Sequence, residues 1–317
     1  MRFQITGSVT DDFYVVGSSE MPVYLLEGPV PVLFDAGLTA YAEIYADGIR
    51  NILQHRSPGY LFLTHTHFDH LGSAGYFKRI WPDLKIVGSA QSRDILMRPG
   101  AVKAITELNR AAIESATASG LTPINDTPFE PVQIDCVAAP GSHISIGADL
   151  TVQALHTPGH TRDFTTYWIE SRKILVASEA VGCQGRTGFF QTEFLVDYDR
   201  YLDNIVQLSQ LNAAVLCPGH EIVLTGEDVG AHLRGSLENA GEYLSMVEGF
   251  LRETRGALDA VTVKIKEAEW NPRPWPKQIE PAYLLNTRQR VQTIWERMQT
   301  RFDKNRPGLQ ISAPGRA

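Results

Sequence analysis

Hydrophobic positions fall into short runs split by turn residues at the start of the chain and into helical spacing at its end. Phe13-Tyr14-Val15-Val16, Val23-Tyr24-Leu25-Leu26 and Val30-Pro31-Val32-Leu33-Phe34 are rich in β-formers, and Gly17, Gly28 and Pro29 punctuate them as hairpin turns do. Thr39 to Gln54 is expected to be helical, with Ile44, Ile49 and Leu53 among its apolar positions. It leads into Gly59-Tyr60-Leu61-Phe62-Leu63, which reads as a buried strand. A second helix through Tyr76, Phe77 and Ile80 ends at Pro82, and a short strand follows at Lys85-Ile86-Val87-Gly88. This strand-helix-strand-helix-strand run predicts an α/β layered sheet.

From Ser89 to about Gly120 the apolar positions Ala101, Ile105, Leu108 and Ala112 recur at helical spacing, with Gly120 as the stop. Such a helical insertion, about 89–120, either packs over an edge of the fold or covers a site. Strands are expected at Val132 to Val137, Ile144 to Ile146 and Leu150 to Leu155, and a hairpin at Phe164 to Ile169 and Lys173 to Ala177. Gly182 to Val196 reads as a loop whose Phe189, Phe190 and Phe194 form a pocket wall or pack on the core. A helix from Asp199 to Leu211 feeds a strand at Ala213 to Cys217.

The last third changes character. Leu233, Leu237, Ala240, Leu244, Val247 and Leu251 alternate spacings of four and three, giving one long amphipathic helix. Leu258 to Glu269 and Ala282 to Phe302 are expected as further helices, with a stiff loop at Asn271 to Pro276 between them. The expected division is residues 1–225, a C-terminal helical region at 226–304 and a flexible tail at 305–317. The C-terminal helices are expected either to close over a site or to form a homodimer interface.

Composition narrows the partners. A chain of 317 residues with 43% hydrophobic and 21% charged content can bury a sizeable core, and a net charge of -7 disfavours general attraction to nucleic acid. Cys136, Cys183 and Cys217 are few, odd in number and far apart, which argues against a disulfide framework and for a reducing compartment. Met1 to Thr6 lacks the apolar core of a signal peptide and no run approaches membrane-span length, so the cytoplasm is expected and no membrane partner is.

The chemistry gathers where strands end. His65-Thr66-His67-Phe68-Asp69-His70 places four metal-binding side chains within six residues, just after a buried strand. A strand-to-helix loop there can turn His65 and His67 one way and Asp69 and His70 another, which suits two metals better than one. Pro158-Gly159 forces a tight turn that presents His160, and Pro218-Gly219 does the same for His220. Glu179 ends another apolar strand, and its two carboxylate oxygens suit a bridging ligand. His156 reads as packed or supporting rather than ligating. Asp35 is either a turn former or a group that holds a ligand in place.

The ordered set HTHFDH at 65–70, TPGHT at 157–161, the strand-ending acid at 179 and CPGH at 217–220 resembles the metallo-β-lactamase superfamily over residues 1 to about 225. The resemblance implies an αββα sandwich with a dinuclear centre along one sheet edge. Carried over, His65, His67 and His160 would hold the first metal, Asp69, His70 and His220 the second, and Glu179 would bridge. Ser178-Glu179 departs from the Gly-Asp usual in the hydrolytic relatives, and the extra methylene bears on the metal separation. The helical C-terminal third looks like that of glyoxalase-II-type and quinolone-response thioesterases.

The expected activity is therefore hydrolysis of a small ester or thioester by a metal-bridging hydroxide, with Asp69 as the catalytic residue that aims it. Two divalent ions are expected, zinc first and iron or manganese next, since the ligands are nitrogen and oxygen. Cys183, four residues past Glu179, either approaches the pocket or, as the better reading, is an ordinary loop thiol. Phosphodiester hydrolysis, a di-iron oxygen-binding or redox protein, and a regulatory protein with a structural metal site are the alternatives.

Overall fold

The computed structural model describes residues 2–3, 6–18, 20–118, 127–147, 149–185, 188–274, 278 and 280–304. The expected helix stop at Gly120, part of the stiff loop before Glu280 and the tail at 305–317 lie outside them. The chain forms two compact units, Met1–Asn239 and Ala240–Ala317.

The first unit is built on two sheets. One runs in spatial order Gly7–Ser8, Phe13–Gly17, Pro22–Leu26, Val32–Phe34, Tyr60–Phe62, Lys85–Gly88 and Cys136–Val137. Its first four strands are antiparallel and its last four parallel, as helical crossovers after Phe34 and Phe62 require. The other runs Arg2–Phe3, Val223–Thr225, Val215–Cys217, Ile174–Val176, Thr165–Ile169, Thr151–His156 and His143–Ser145.

Strand periodicity explains how both faces of the first sheet are covered. Tyr24, Leu26, Val32, Phe34, Phe62 and Val87 point into a core shared with Val152, Tyr167, Ile169, Val176 and Val215 of the second sheet. Their neighbours Val23, Leu25, Leu33, Leu61 and Ile86 point the other way, onto Tyr45, Ile49, Leu71, Phe77 and Ile105 of the covering helices. A strand buried on both faces reads as a continuous apolar run, which is why the alternation is weak in the sequence. The architecture is the expected αββα sandwich.

Boundaries differ where local polar groups intervene. The expected strand from Val132 shrinks to Cys136–Val137, because the carboxylate of Asp135 accepts the Ile86 N–H at 2.8 Å and takes a place in the ladder. Residues 89–118 form two helices, Ala90–Leu96 and Pro99–Ala118, the first capped by Ser89, which accepts the Ser92 N–H at 3.0 Å. Gly182 to Val196 is not wholly a loop: Cys183–Gln184 pairs with Phe190–Gln191. Phe194 is core, packed against Tyr198 and Tyr201, while Phe190 lies 4.8 Å from the ring of His232.

The second unit contains the end of the helix Glu227–Glu253, then Leu258–Ile265, a π-helical turn Lys266–Trp270, and Glu280–Lys304. Arg290 is fully buried there, its guanidinium 4.5 Å from the Tyr243 ring centre and donating to Thr287 Oγ1 at 3.0 Å. Among the described residues no helix is long and apolar enough to cross a membrane.

Candidate metal centre

Two adjacent parallel strands, Val32–Phe34 and Tyr60–Phe62, end at the same sheet edge. Asp35 follows the first with φ of 56°, a left-handed conformation that aspartate tolerates better than most residues. Its N–H donates to Phe62 O at 2.9 Å, and its carboxylate accepts the Thr64 N–H at 2.8 Å and the Thr64 hydroxyl at 2.9 and 3.0 Å. Asp35 is thus both a turn former and a holder of the centre, the two roles the sequence left open.

Those bonds fix the protons on two imidazoles. A carboxylate only accepts, so the Thr64 hydroxyl donates to Asp35 and its oxygen is left to accept from His65 Nδ1 at 3.0 Å. His70 Nδ1 likewise donates to Asp35 Oδ2 at 2.9 Å. His160 Nδ1 donates to the Glu193 carbonyl, and His220 Nδ1 to the Glu20 carbonyl at 3.0 Å. Four histidines are therefore tied at Nδ1, leaving Nε2 to face the centre. His67 uses the opposite atom: its Nδ1 lies 3.1 Å from His160 Nε2.

The surrounding chain holds this arrangement at both sheets. Tyr24 of the first sheet donates to Pro218 O, and Tyr167 of the second to Leu63 O, each at 2.8 Å, so each sheet satisfies a strand-end carbonyl of the other. Asp163 accepts the Thr66 N–H at 2.9 Å and the Ser92 hydroxyl at 3.0 Å, which pins the loop between His65 and His67. Gly159, at φ of 150°, lies so close to the Tyr201 backbone that a Cβ would sit 2.9 Å from its Cα. That contact and the turn together require glycine before His160.

All seven residues singled out in the sequence meet here. His65, His67 and His160 form one group of ligand-type atoms, Asp69, His70 and His220 another, and His65, His70 and Glu179 a third, each with its atoms within 4.8 Å of one another. One correction concerns placement: Asp69 and His70 lie on a short helix, Phe68–Leu71, rather than in the loop. Asp69 groups there with His70 and His220, while His70 also stays beside His65, the two ring centres 4.5 Å apart. His156 stays outside, its Nε2 3.2 Å from the Arg162 carbonyl oxygen.

The two sides differ in charge. Burial lowers the pKa of His65, His67 and His160, that of His160 to about 3, so these three are neutral. On the other side burial also opposes charge, but Glu179, Asp69 and Asp35 raise His70, and the hydrogen bond and charge of Glu179 raise His220 to about 9. Burial would push the Glu179 carboxyl up, yet His70 and His220 hold it well below the ordinary range. Glu179 Oε1 lies 2.7 Å from His70 Nε2 and 2.9 Å from His220 Nε2, while Oε2 accepts the Ser178 hydroxyl at 2.6 Å.

This donor set fits a divalent cation. His65 Nε2 is buried and has no hydrogen-bond partner, and the buried His70 Nε2 meets Glu179 Oε1 at 2.7 Å. A buried neutral imidazole such as His65, its proton fixed on the far side, is what a metal needs and what a hydrogen-bonded core avoids. Cys183 also approaches the centre: its sulfur lies within 4.8 Å of ligand atoms of Glu179 and His220. Its position four residues after Glu179 was the available signal.

Two facing sheets between helices, with imidazoles and carboxylates converging where the strands end, define a metal-site α/β sandwich. Residues 23–220 match the metallo-beta-lactamase superfamily profile, and the chain belongs to that superfamily. The fold is similar to that of a metallo-beta-lactamase family protein from Thermus thermophilus, at 16% identity and TM-score 0.62, covering 92% of this chain and 95% of that one. An archaeal superfamily protein from Sulfolobus tokodaii is similar at 14% identity and TM-score 0.54, covering 90% and 99%. In sequence, an atrochrysone carboxyl ACP thioesterase from Aspergillus fumigatus is 22% identical over 203 residues. That match takes in 63% of this chain but spans only 50% of the relative.

Proposed function

We propose that the protein is a metal-dependent hydrolase of esters or thioesters. The observation that carries this is the convergence of seven ligand-type side chains, with the buried, unpartnered Nε2 of His65 among them. In this reading His65, His67 and His160 would hold one divalent cation and Asp69, His70 and His220 a second, with Glu179 as a further ligand. Cations bound there supply acidification of water and polarisation of the substrate carbonyl. Asp69, whose side chain is 17% exposed, accepts a hydrogen bond from the attacking water and aims it. Thr64, Asp35 and the Glu193 carbonyl fix which imidazole nitrogen faces inward, and burial of His65 and His160 keeps bulk water from competing. The thioester preference is supported by the Aspergillus relative, described as a thioesterase.

The test is elemental analysis of protein purified without added metal, with a panel of thioesters, lactones and phosphodiesters. We expect about two divalent ions per chain and thioester or ester hydrolysis that a chelator abolishes and zinc or manganese restores. Hydrolysis indifferent to chelation, or metal-loaded protein inert on the whole panel, would overturn the reading.

A second prediction concerns Gly219. A Cβ there would lie 2.4 Å from Glu179 Oε1 and 2.7 Å from its Cδ, and Gly219 is not among the positive-φ glycines, so alanine acts by steric displacement alone. Gly219→Ala should swing the carboxylate off His70 and His220 and weaken metal binding about 10- to 100-fold. Competition with a chromophoric chelator reads the change, and unaltered affinity would show that the position of Glu179 is immaterial.

A further inference from the structure

We infer that Cys183 is a further metal ligand on the carboxylate side of the centre, giving that position a sulfur donor beside Glu179 and His220. The inference rests on the functional reading above, because it requires a cation to be held there.

Local geometry brings the sulfur in. The helical turn Ser178–Val181 carries Glu179 and ends at Gly182, whose φ of 69° turns the chain back. A Cβ at Gly182 would lie 2.9 Å from Ser236 Oγ and 3.2 Å from the Gln191 carbonyl and the Tyr201 hydroxyl, so glycine lets the chain close tightly there. The next residue, Cys183, returns to Glu179, with its sulfur, a Glu179 oxygen and a His220 nitrogen within 4.8 Å of one another. Cys183 is 9% exposed and forms no disulfide. Glu179 links this group to the rest of the centre, its Oε1 lying 2.7 Å from the buried His70 Nε2 and 2.9 Å from His220 Nε2.

The other buried thiol shows what an inert cysteine looks like here. Cys217 packs in the core between the sheets, among the cluster of Phe34, Val176 and Val215, and burial is what pushes its thiol up. Cys183 is instead placed beside ligand-type atoms, a Glu179 oxygen and a His220 nitrogen. A buried thiol beside a carboxylate and an imidazole is placed as a ligand rather than as core filling. On coordination the thiol gives its proton to solvent and the sulfur lone pair forms the new bond; nothing is oxidised or reduced. A sulfur donor shifts the position toward zinc, cobalt(II) and cadmium and away from manganese and magnesium, unlike a centre of nitrogen and oxygen alone.

Cobalt(II) reports this directly in the full chain, stripped of metal and then titrated. Visible d–d bands report cobalt at any of these ligands, and a near-ultraviolet charge-transfer band reports a thiolate bound to it. We expect both in the wild type and in the control Cys136→Ser, whose cysteine is half-buried on an edge strand. Cys183→Ser should keep the visible bands, lose the near-ultraviolet band and bind cadmium at least about tenfold more weakly. Visible bands without the charge-transfer band in the wild type, or a band that persists in Cys183→Ser, would overturn the inference and leave the hydrolase reading standing. Failure to take up cobalt at all would overturn both. Zinc-edge X-ray absorption on the wild type needs no variant: a sulfur shell at about 2.3 Å supports the ligand, and its absence refutes it.

Discussion

Asp69→Asn is expected to cut hydrolysis by about 10²- to 10⁴-fold, the range that a positioned acid or base usually contributes. Asp69 is the most open carboxylate of the centre: its side chain is 17% exposed against 5% for Glu179 and 4% for Asp35. It stands at the water-facing side, with Oδ2 3.9 Å from His70 Nε2 and 3.8 Å from His220 Nε2. Asparagine keeps the shape and one acceptor oxygen but loses the charge and the ability to take a proton. The helix Phe68–Leu71 is expected to survive, since Asp69 is not its cap. The decisive measurement is kcat/KM of both proteins at matched metal content, which separates lost chemistry from lost metal. An asparagine variant with wild-type metal and wild-type turnover would remove Asp69 from the mechanism.

Much of this was legible in the sequence because strand ends and turns are local. Pro158-Gly159 and Pro218-Gly219 announce tight turns, and each turn puts a histidine at the end of an apolar run; the structure brings both, with the 65–70 cluster, to one edge. What could not be read depends on contacts distant in the chain. The Glu20 carbonyl holds His220 from 200 residues away, and nothing in either segment marks the partner. The Glu193 carbonyl that orients His160 is a backbone group any residue could supply. Strand Val223–Thr225 is short and exists by pairing with Val215–Cys217 and Arg2–Phe3, so its local pattern is faint. Asp135 shortens a strand by hydrogen bonding with its side chain, an outcome that apolar periodicity does not encode. The neighbours of Cys183 are likewise set by the turn at Gly182, which local sequence does not show.

The dependence of His70 on a single hydrogen bond leads to the second large effect, at Asp35. Asp35→Asn is expected to weaken metal binding about 10- to 100-fold, as loss of a partner behind a ligating histidine commonly does. The reason is the tautomer rather than the packing. Asparagine tolerates the φ of 56° that Asp35 adopts, and its carbonyl can still accept the Thr64 N–H now received at 2.8 Å. That orientation turns the amide NH₂ toward His70 Nδ1, which now donates to Oδ2 at 2.9 Å. Two donors cannot face each other, so Nδ1 gives up its proton and Nε2 takes one. A protonated Nε2 has no lone pair for a metal. Asp35→Ala removes the acceptor entirely and strands buried donors of Thr64 and His70, so it should also destabilise the fold by about 1–3 kcal/mol. The pair of variants separates the two effects: asparagine should lower metal affinity with little change in the melting temperature of the metal-free protein, and alanine should lower both. If asparagine binds metal as the wild type does, the protons on His70 are not set by Asp35 and the hydrogen-bond chain from Asp35 does not control the centre.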